Sequence, residues 1–209
     1  MSWELALKTV LRVAEPLFSG DEPPCAVIGS VASTLQGCQL TPRDLDLLAV
    51  RPEEVVRFAE LMWAYAPNHV EPPTDHADWL SSEEQPLSIG PDDYGFIWHF
   101  GRWLVDGVKV EMAHIAAPEG YPMSADGAGI WEAGPEIWPQ IRKVPFAGLQ
   151  VPVVPLEIQL HTSMSRKLEE RTTELIAVLQ SSYDRDLVQK ALSKAHRQAF
   201  DALIDGPVD

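Results

Sequence analysis

Apolar residues near the start of the chain recur at helical spacing. Leu7, Val10, Leu11, Ala14 and Leu17 fall on one face and predict an amphipathic helix over residues 3–18. The turn-rich stretch that follows leads into a short apolar run, Cys25-Ala26-Val27-Ile28, ending at Gly29-Ser30. That pattern predicts a buried strand, a turn and a short helix over 31–37. Thr41-Pro42 interrupts the chain, since proline disfavours helix in the residue before it. Leu45 to Val50 is a second apolar strand, with Asp44 and Asp46 at its start, and Glu53 to Tyr65 returns to a helical pattern. Phe96 to Val105 and Val108 to Ile115 flank Asp106-Gly107, a strong hairpin signal. Alternation puts Val108, Val110 and Met112 on one face of the later strand, and Lys109, Glu111 and Ala113 on the other. After a Gly/Pro-punctuated stretch over 117–150, VPVVPLEIQL introduces a helix to about Leu179, and a further helix runs from Asp184 to Ile204. The layout predicts an α/β (α+β) fold: a small mixed β-sheet flanked by helices over 1–154, with a C-terminal antiparallel helical pair over 155–209 packed on it.

Residues 66–95 are proline-rich and acidic with weak periodicity, and read as a solvated surface loop, or else as a substrate lid or a docking surface for a basic partner. An apolar content of 45% is ample for a core, and no apolar run approaches the roughly 20 residues needed to span a bilayer. Glu4 and Lys8 interrupt what a secretory signal would need, so the expectation is a soluble, cytoplasmic protein without a membrane partner. The net charge of −15 is unevenly placed: residues 155–200 are nearly balanced, and no basic residue lies between Arg57 and Arg102. Without a Lys/Arg stripe to displace counterions, extended nucleic-acid binding is not expected, although a short RNA end remains compatible. Cys25 and Cys38 have no metal-ligand spacing and read as reduced core residues.

The chemistry concentrates in three places. Asp44 and Asp46, two apart on a strand, project their carboxylates from one face. Two such charges repel, and a divalent cation with a taste for hard oxygen ligands, Mg²⁺ or Mn²⁺, relieves the cost. Glu111 adds an acid inside an apolar strand, where an unpaired charge is expensive. Gly29-Ser30, between a strand and a helix, lets a phosphate approach the backbone amides closely. Each piece alone is commonplace; their order is informative.

That order resembles the nucleotidyltransferase superfamily of the DNA polymerase beta-like fold, with its Gly-Ser turn, paired acids and third acid on a later strand. The segment AVIGSVASTLQGCQLTPRDLDLLAV is most similar to the abortive-infection type toxin and minimal bacterial branches, through Ala32, Gly37, Thr41 and Arg43. The resemblance is good over 25–50 and moderate over 103–115. It departs from the pattern at Ser33, in a region where minimal members carry an arginine, and at Glu111, where aspartate is commoner. It implies a nucleotidyltransferase fold and transfer of a nucleoside monophosphate from a nucleoside triphosphate such as ATP to a hydroxyl of a small molecule, protein or RNA end. Asp44, Asp46 and Glu111 would be the catalytic and metal-ligating acids, with Glu111 also able to take the acceptor proton. Gly29, Ser30 and Arg43, with Arg166 or Lys167 from the later helix, would hold the nucleotide. A non-catalytic nucleotide- or partner-binding module, and the toxin half of a toxin–antitoxin pair with its own protein partner, are the alternatives. His114 lies on the face opposite Glu111 and reads as a core or edge histidine; His69 and His76 have no ligand partner at useful spacing. Trp98, Trp103, Trp131 and Trp138 read as packing residues, because few basic residues interleave with them.

Overall fold

In the computed structural model the described residues are 2–68, 78–121 and 127–204. The expected first helix is divided into α1 (Trp3–Val13) and α2 (Glu15–Phe18). Pro16 causes the break, because it lacks an amide hydrogen and its ring would strike the carbonyl four residues back in a continuous helix. Strand β1 (Cys25–Ile28) and helix α3 (Gly29–Leu35) follow, then β2 (Asp44–Ala49) and α4 (Pro52–Leu61), which ends in a single tight turn at Trp63–Tyr65.

The segment expected to be a loop is not wholly one. Residues 69–77, including His69 and His76, lie outside the described residues, but Ser88–Pro91 forms an edge strand, β3. Ser81 is buried, and its amide donates to the Arg102 carbonyl at 2.7 Å, so this stretch lines the sheet rather than floating over it. Its partner β4 (Ile97–Val105) runs into β5 (Val108–Ala116) through the expected hairpin, with φ of 50° at Asp106 and 79° at Gly107. A second hairpin, β6 (Arg142–Phe146) with β7 (Leu149–Val153), lies in the stretch expected to be irregular, turning on positive φ at Ala147 and Gly148.

The C-terminal pair is realised as four shorter helices: α5 (Leu156–Ser165), α6 (Glu169–Leu179), α7 (Arg185–Ala191) and α8 (Lys194–Ile204). The first break is a two-bond helix stop. Leu168 N–H reaches the Ser163 carbonyl at 2.9 Å and Lys167 N–H reaches that of Met164 at 3.2 Å, with Lys167 at φ 55° in the left-handed region. The second follows from Ser193, whose hydroxyl accepts from the His196 amide and starts a new helix.

All seven strands join one mixed sheet in the order β3-β4-β5-β2-β1-β7-β6. β2 lies parallel to β5 and antiparallel to β1, and β7 runs parallel to β1. One face carries Val27, Leu45, Leu47, Val110 and Met112 under Leu7 and Val10 of α1, Phe58 of α4 and Met62 just beyond its end. Trp103 completes this core, edge-on to Phe58, and its ring lies over Gly101, where a side chain would collide with it. On the other face Leu48, Ile28 and Ala113 pack beneath Ile158 of α5 and Leu187 and Ala191 of α7. Cys25 and Cys38 are both reduced and buried, as expected, and burial pushes the Cys38 thiol up to about 11. Among the described residues no helix is long and apolar enough to cross a membrane.

Candidate active site

The parallel register of β2 with β5 sets Asp44 opposite Lys109 and Asp46 opposite Glu111. Strand alternation then carries Asp44, Asp46 and Glu111 to one face, where the next row of the sheet adds Arg102 opposite Glu111. The three acids expected from sequence therefore share a face. His114 takes the other, with Nδ1 at 3.1 Å from the Ala49 carbonyl oxygen.

Gly29 stands at the end of β1 with φ 70°, and a Cβ there would sit 2.5 Å from Oδ2 of Asp46. The glycine thus leaves room for the Asp46 carboxylate against the backbone, and a side chain at this position would displace it. Burial is the first cause that pushes the Asp46 carboxyl up to about 7, followed by the negative charges of Asp44, Glu111 and Glu132; Arg171 opposes them.

Glu132 and Arg171 did not stand out from the sequence. Glu132 is buried, accepts a hydrogen bond from the Gly29 amide at 3.4 Å and pairs with Arg171 at 3.6 Å. Arg171 also donates to Oε1 of Gln159 at 2.5 Å. The same oxygen lies 2.8 Å from the Ser33 hydroxyl, while the Gln159 amide nitrogen donates to the Val154 carbonyl. Ser33 is fully buried, so this position has no room for an arginine; it helps hold the glutamine that orients Arg171. A guanidinium therefore reaches the acidic group from α6. The signal available in sequence was spacing: Arg171 lies four residues before the buried Leu175, on the inward side of its helix.

Arg43 is exposed and half-buried Ser30 lies in the first turn of α3. Arg166 and Lys167 are exposed at the helix stop, and Lys167 lines a separate cleft with Met164, Thr173 and His196, none of which belongs to the acidic group. Glu111 commits one oxygen to Arg102, whose Nε donates to it at 2.6 Å. Among the described residues no three His, Cys, Asp or Glu side chains converge as a ready metal-binding set. The chemistry of the Asp44–Asp46 pair nevertheless fits a hard divalent cation, since Asp46 is both buried and set among Asp44, Glu111 and Glu132, and a positive charge relieves both costs.

No protein-family model matches the sequence, and no match is found among curated proteins. Among solved structures, the chain is similar to a Thermotoga maritima protein whose crystal structure bears the description "putative nucleotidyltransferase". The two are 18% identical with a TM-score of 0.52, over 84% of this chain and 92% of that one. The likeness establishes the fold: a mixed sheet flanked by helices, of nucleotidyltransferase-like type.

Proposed function

We propose that the chain is a nucleotidyltransferase, moving a nucleoside monophosphate from a nucleoside triphosphate to a hydroxyl and releasing pyrophosphate. The observation that carries this reading is the row across the sheet in which Asp46, seated against Gly29, stands in register with Glu111, with Asp44 two residues before it. In this reading residues 1–154 are the catalytic core and 155–209 the helical region that delivers Arg171 to it.

Asp44 and Asp46 would hold Mg²⁺ or Mn²⁺, which when bound neutralises triphosphate charge and polarises the phosphoryl oxygens. The chain's own residues do the rest. Arg171, held by Gln159, presents positive charge beside the Gly29 amide, so an incoming phosphate competes with Glu132 for both groups. Ser30, one residue on, adds a hydroxyl donor, and exposed Arg43 gives longer-range attraction. Glu111, positioned by Arg102, takes the proton of the attacking hydroxyl. The oxygen of that hydroxyl forms a bond to the α-phosphorus while the bond from the α-phosphorus to the bridging oxygen breaks, and pyrophosphate leaves with the electron pair. Positioning and charge neutralisation account for most of the catalysis.

The test is pyrophosphate release from each ribonucleoside triphosphate with Mg²⁺ or Mn²⁺, in the presence of pooled metabolites and tRNA. Release by the wild type should vanish in Asp44→Ala and in Asp46→Ala; undiminished turnover in either variant would sink the proposal. The Arg102–Glu111 pair favours one second reading, a nucleotide-binding module without turnover. Metal-independent triphosphate binding with no pyrophosphate released would select it. A toxin role in the abortive-infection manner rests on the resemblance of residues 25–50, and growth arrest relieved by a co-expressed neighbour is its readout.

A further inference from the structure

The sheet does not end at Glu111. On the face that carries the acids, β4 adds Arg102, Phe100 and Trp98 in successive outward positions, and β3 sets Ser88 beside Phe100 and Gly90 beside Trp98. Among the described residues no helix of the C-terminal group packs on this stretch in the way α5 and α7 cover Leu48 and Ala113. Instead a cavity of about 390 Å³ opens there, lined by Trp98, Phe100, Arg102, Glu111 and the β3 backbone, and it is of a size that takes small molecules.

Three details make it a shaped pocket. The Trp98 ring is fixed in place, because its indole N–H donates to Oδ2 of Asp92 at 3.1 Å while the other oxygen of Asp92 accepts from the Tyr94 and Phe96 amides. Gly90 leaves the space beside that ring empty: a Cβ built there meets nothing within 4 Å. The Arg102 guanidinium lies 5.0 Å from the centre of the Phe100 ring while its Nε holds Glu111, so the inner end of the pocket is a carboxylate backed by a cation.

We infer that this pocket is the acceptor site, and that the acceptor is a small hydroxyl compound with a flat apolar ring, uncharged or cationic. The inference rests on the transferase reading and names its substrate class. Gly29 and Arg171 stand on the Asp46 side of Glu111 and the pocket on the opposite side, so an acceptor seated on Phe100 and Trp98 turns its hydroxyl to the carboxylate that takes its proton. Trp98 and Phe100, two residues apart on one face of β4, give a ring an aromatic floor, with Phe100 also set against the Arg102 guanidinium and the Trp79 ring. The lining has two carboxylates, Asp92 and Glu111, against one guanidinium, which turns away a phosphodiester and so disfavours an RNA end.

Binding to the full-length chain is measured by saturation-transfer NMR with two probes, L-tyrosinamide and 4-hydroxybenzyl alcohol, alongside Mg²⁺ and α,β-methylene-ATP. The variant is Gly90→Val, whose Cβ enters open space on the Trp98 side of the strand and which puts a strand-favouring residue in a strand. An unchanged melting curve verifies its fold, and Phe100→Leu serves as a second variant. At least one probe should bind the wild type at millimolar concentration and weaken by about tenfold or more in Gly90→Val, while the nucleotide analogue binds both alike. Neither probe binding, or equal binding to wild type and variant, overturns the inference. Loss of the nucleotide analogue in Gly90→Val overturns it by giving the pocket to the nucleobase. Tighter binding of the dinucleotide ApA, sensitive to the same variant, overturns it in favour of an RNA end. If the analogue fails to bind the wild type while a probe binds and is lost in Gly90→Val, the ring site stands and the transferase reading falls.

Discussion

The two faces of the central strands differ as sharply as any two regions of the molecule, although they are built from alternate residues of the same segments. Leu45, Leu47, Val110 and Met112 are buried under α1 and α4, whereas Asp44, Asp46 and Glu111, their immediate neighbours, line the other side, where Glu111 pairs with Arg102. The dry face does more than stabilise. A one-residue slip of β2 against β5 would turn Leu45 and Leu47 outward and the aspartates into the core, so burial fixes the register that aligns the acids. The row Asp46–Glu111–Arg102 is therefore an output of hydrophobic packing on the opposite side of the sheet.

The largest effect should come from putting charge on the wrong face. Leu47→Asp buries a carboxylate among Val27, Val110 and Phe58, at several kcal/mol, against a total stability of ordinarily about 5–15 kcal/mol. The expected outcome is loss of the cooperative thermal transition by circular dichroism at neutral pH. A melt within a few degrees of the wild type would mean that the two faces are not so different.

Asp46→Asn, one residue away, should do the reverse. In the folded protein the Asp46 carboxyl is raised to about 7, well above its unfolded value near 3.8, so the native state holds a proton that the unfolded state has released between those pH values. Wild-type stability accordingly falls as pH rises from about 4 to 7, and the full penalty is present above 7. Removing the charge should stabilise the protein above pH 7 by on the order of 2 kcal/mol while abolishing pyrophosphate release, and the gain should disappear below pH 4. Melting temperatures of both proteins across that range measure it. Mg²⁺ should raise the wild-type melting temperature at pH 8 and leave Asp46→Asn unmoved.

What was legible in the sequence follows from how locally each feature is encoded. The β1–β2 unit, the Asp106-Gly107 hairpin and the shared face of Asp44, Asp46 and Glu111 all follow from period-two alternation or turn chemistry inside short windows. The β6–β7 hairpin escaped because it turns on Ala147-Gly148, without the Asn or Asp that marks such loops. The stop after α5 escaped because Lys167, not glycine, takes the left-handed position, so the pattern read as one continuous helix. That missed stop had a consequence for the site. A helix drawn straight through places Arg166 and Lys167 as well as any other basic residue and does not single out Arg171. Glu132 sits in a stretch with no regular period, where burial has no sequence signature; only tertiary contact brings it to the Gly29 amide. Whether Glu111 ligates a metal or only accepts a proton depends on Arg102, a cross-strand partner that strand alternation alone did not bring forward.

The smallest of the three effects separates those basic residues. Arg171 is mostly buried, and its Nη2 reaches both Gln159 at 2.5 Å and Glu132 at 3.6 Å from a planar, delocalised guanidinium that a compact, strongly hydrated ammonium does not reproduce. Arg171→Lys should weaken binding of α,β-methylene-ATP by about tenfold, roughly 1.4 kcal/mol, with little change in melting temperature. Arg166→Ala and Lys167→Ala remove exposed charges at a helix stop and should each shift the affinity less than about twofold at physiological ionic strength, where surface charge is screened beyond roughly 8 Å. Calorimetric titration of the three variants distinguishes them. If Lys167→Ala cost as much as Arg171→Lys, phosphate would have to be gripped from the exposed turn, and the buried Ser33–Gln159–Arg171 chain would be a packing device of the helical region with no part in nucleotide binding.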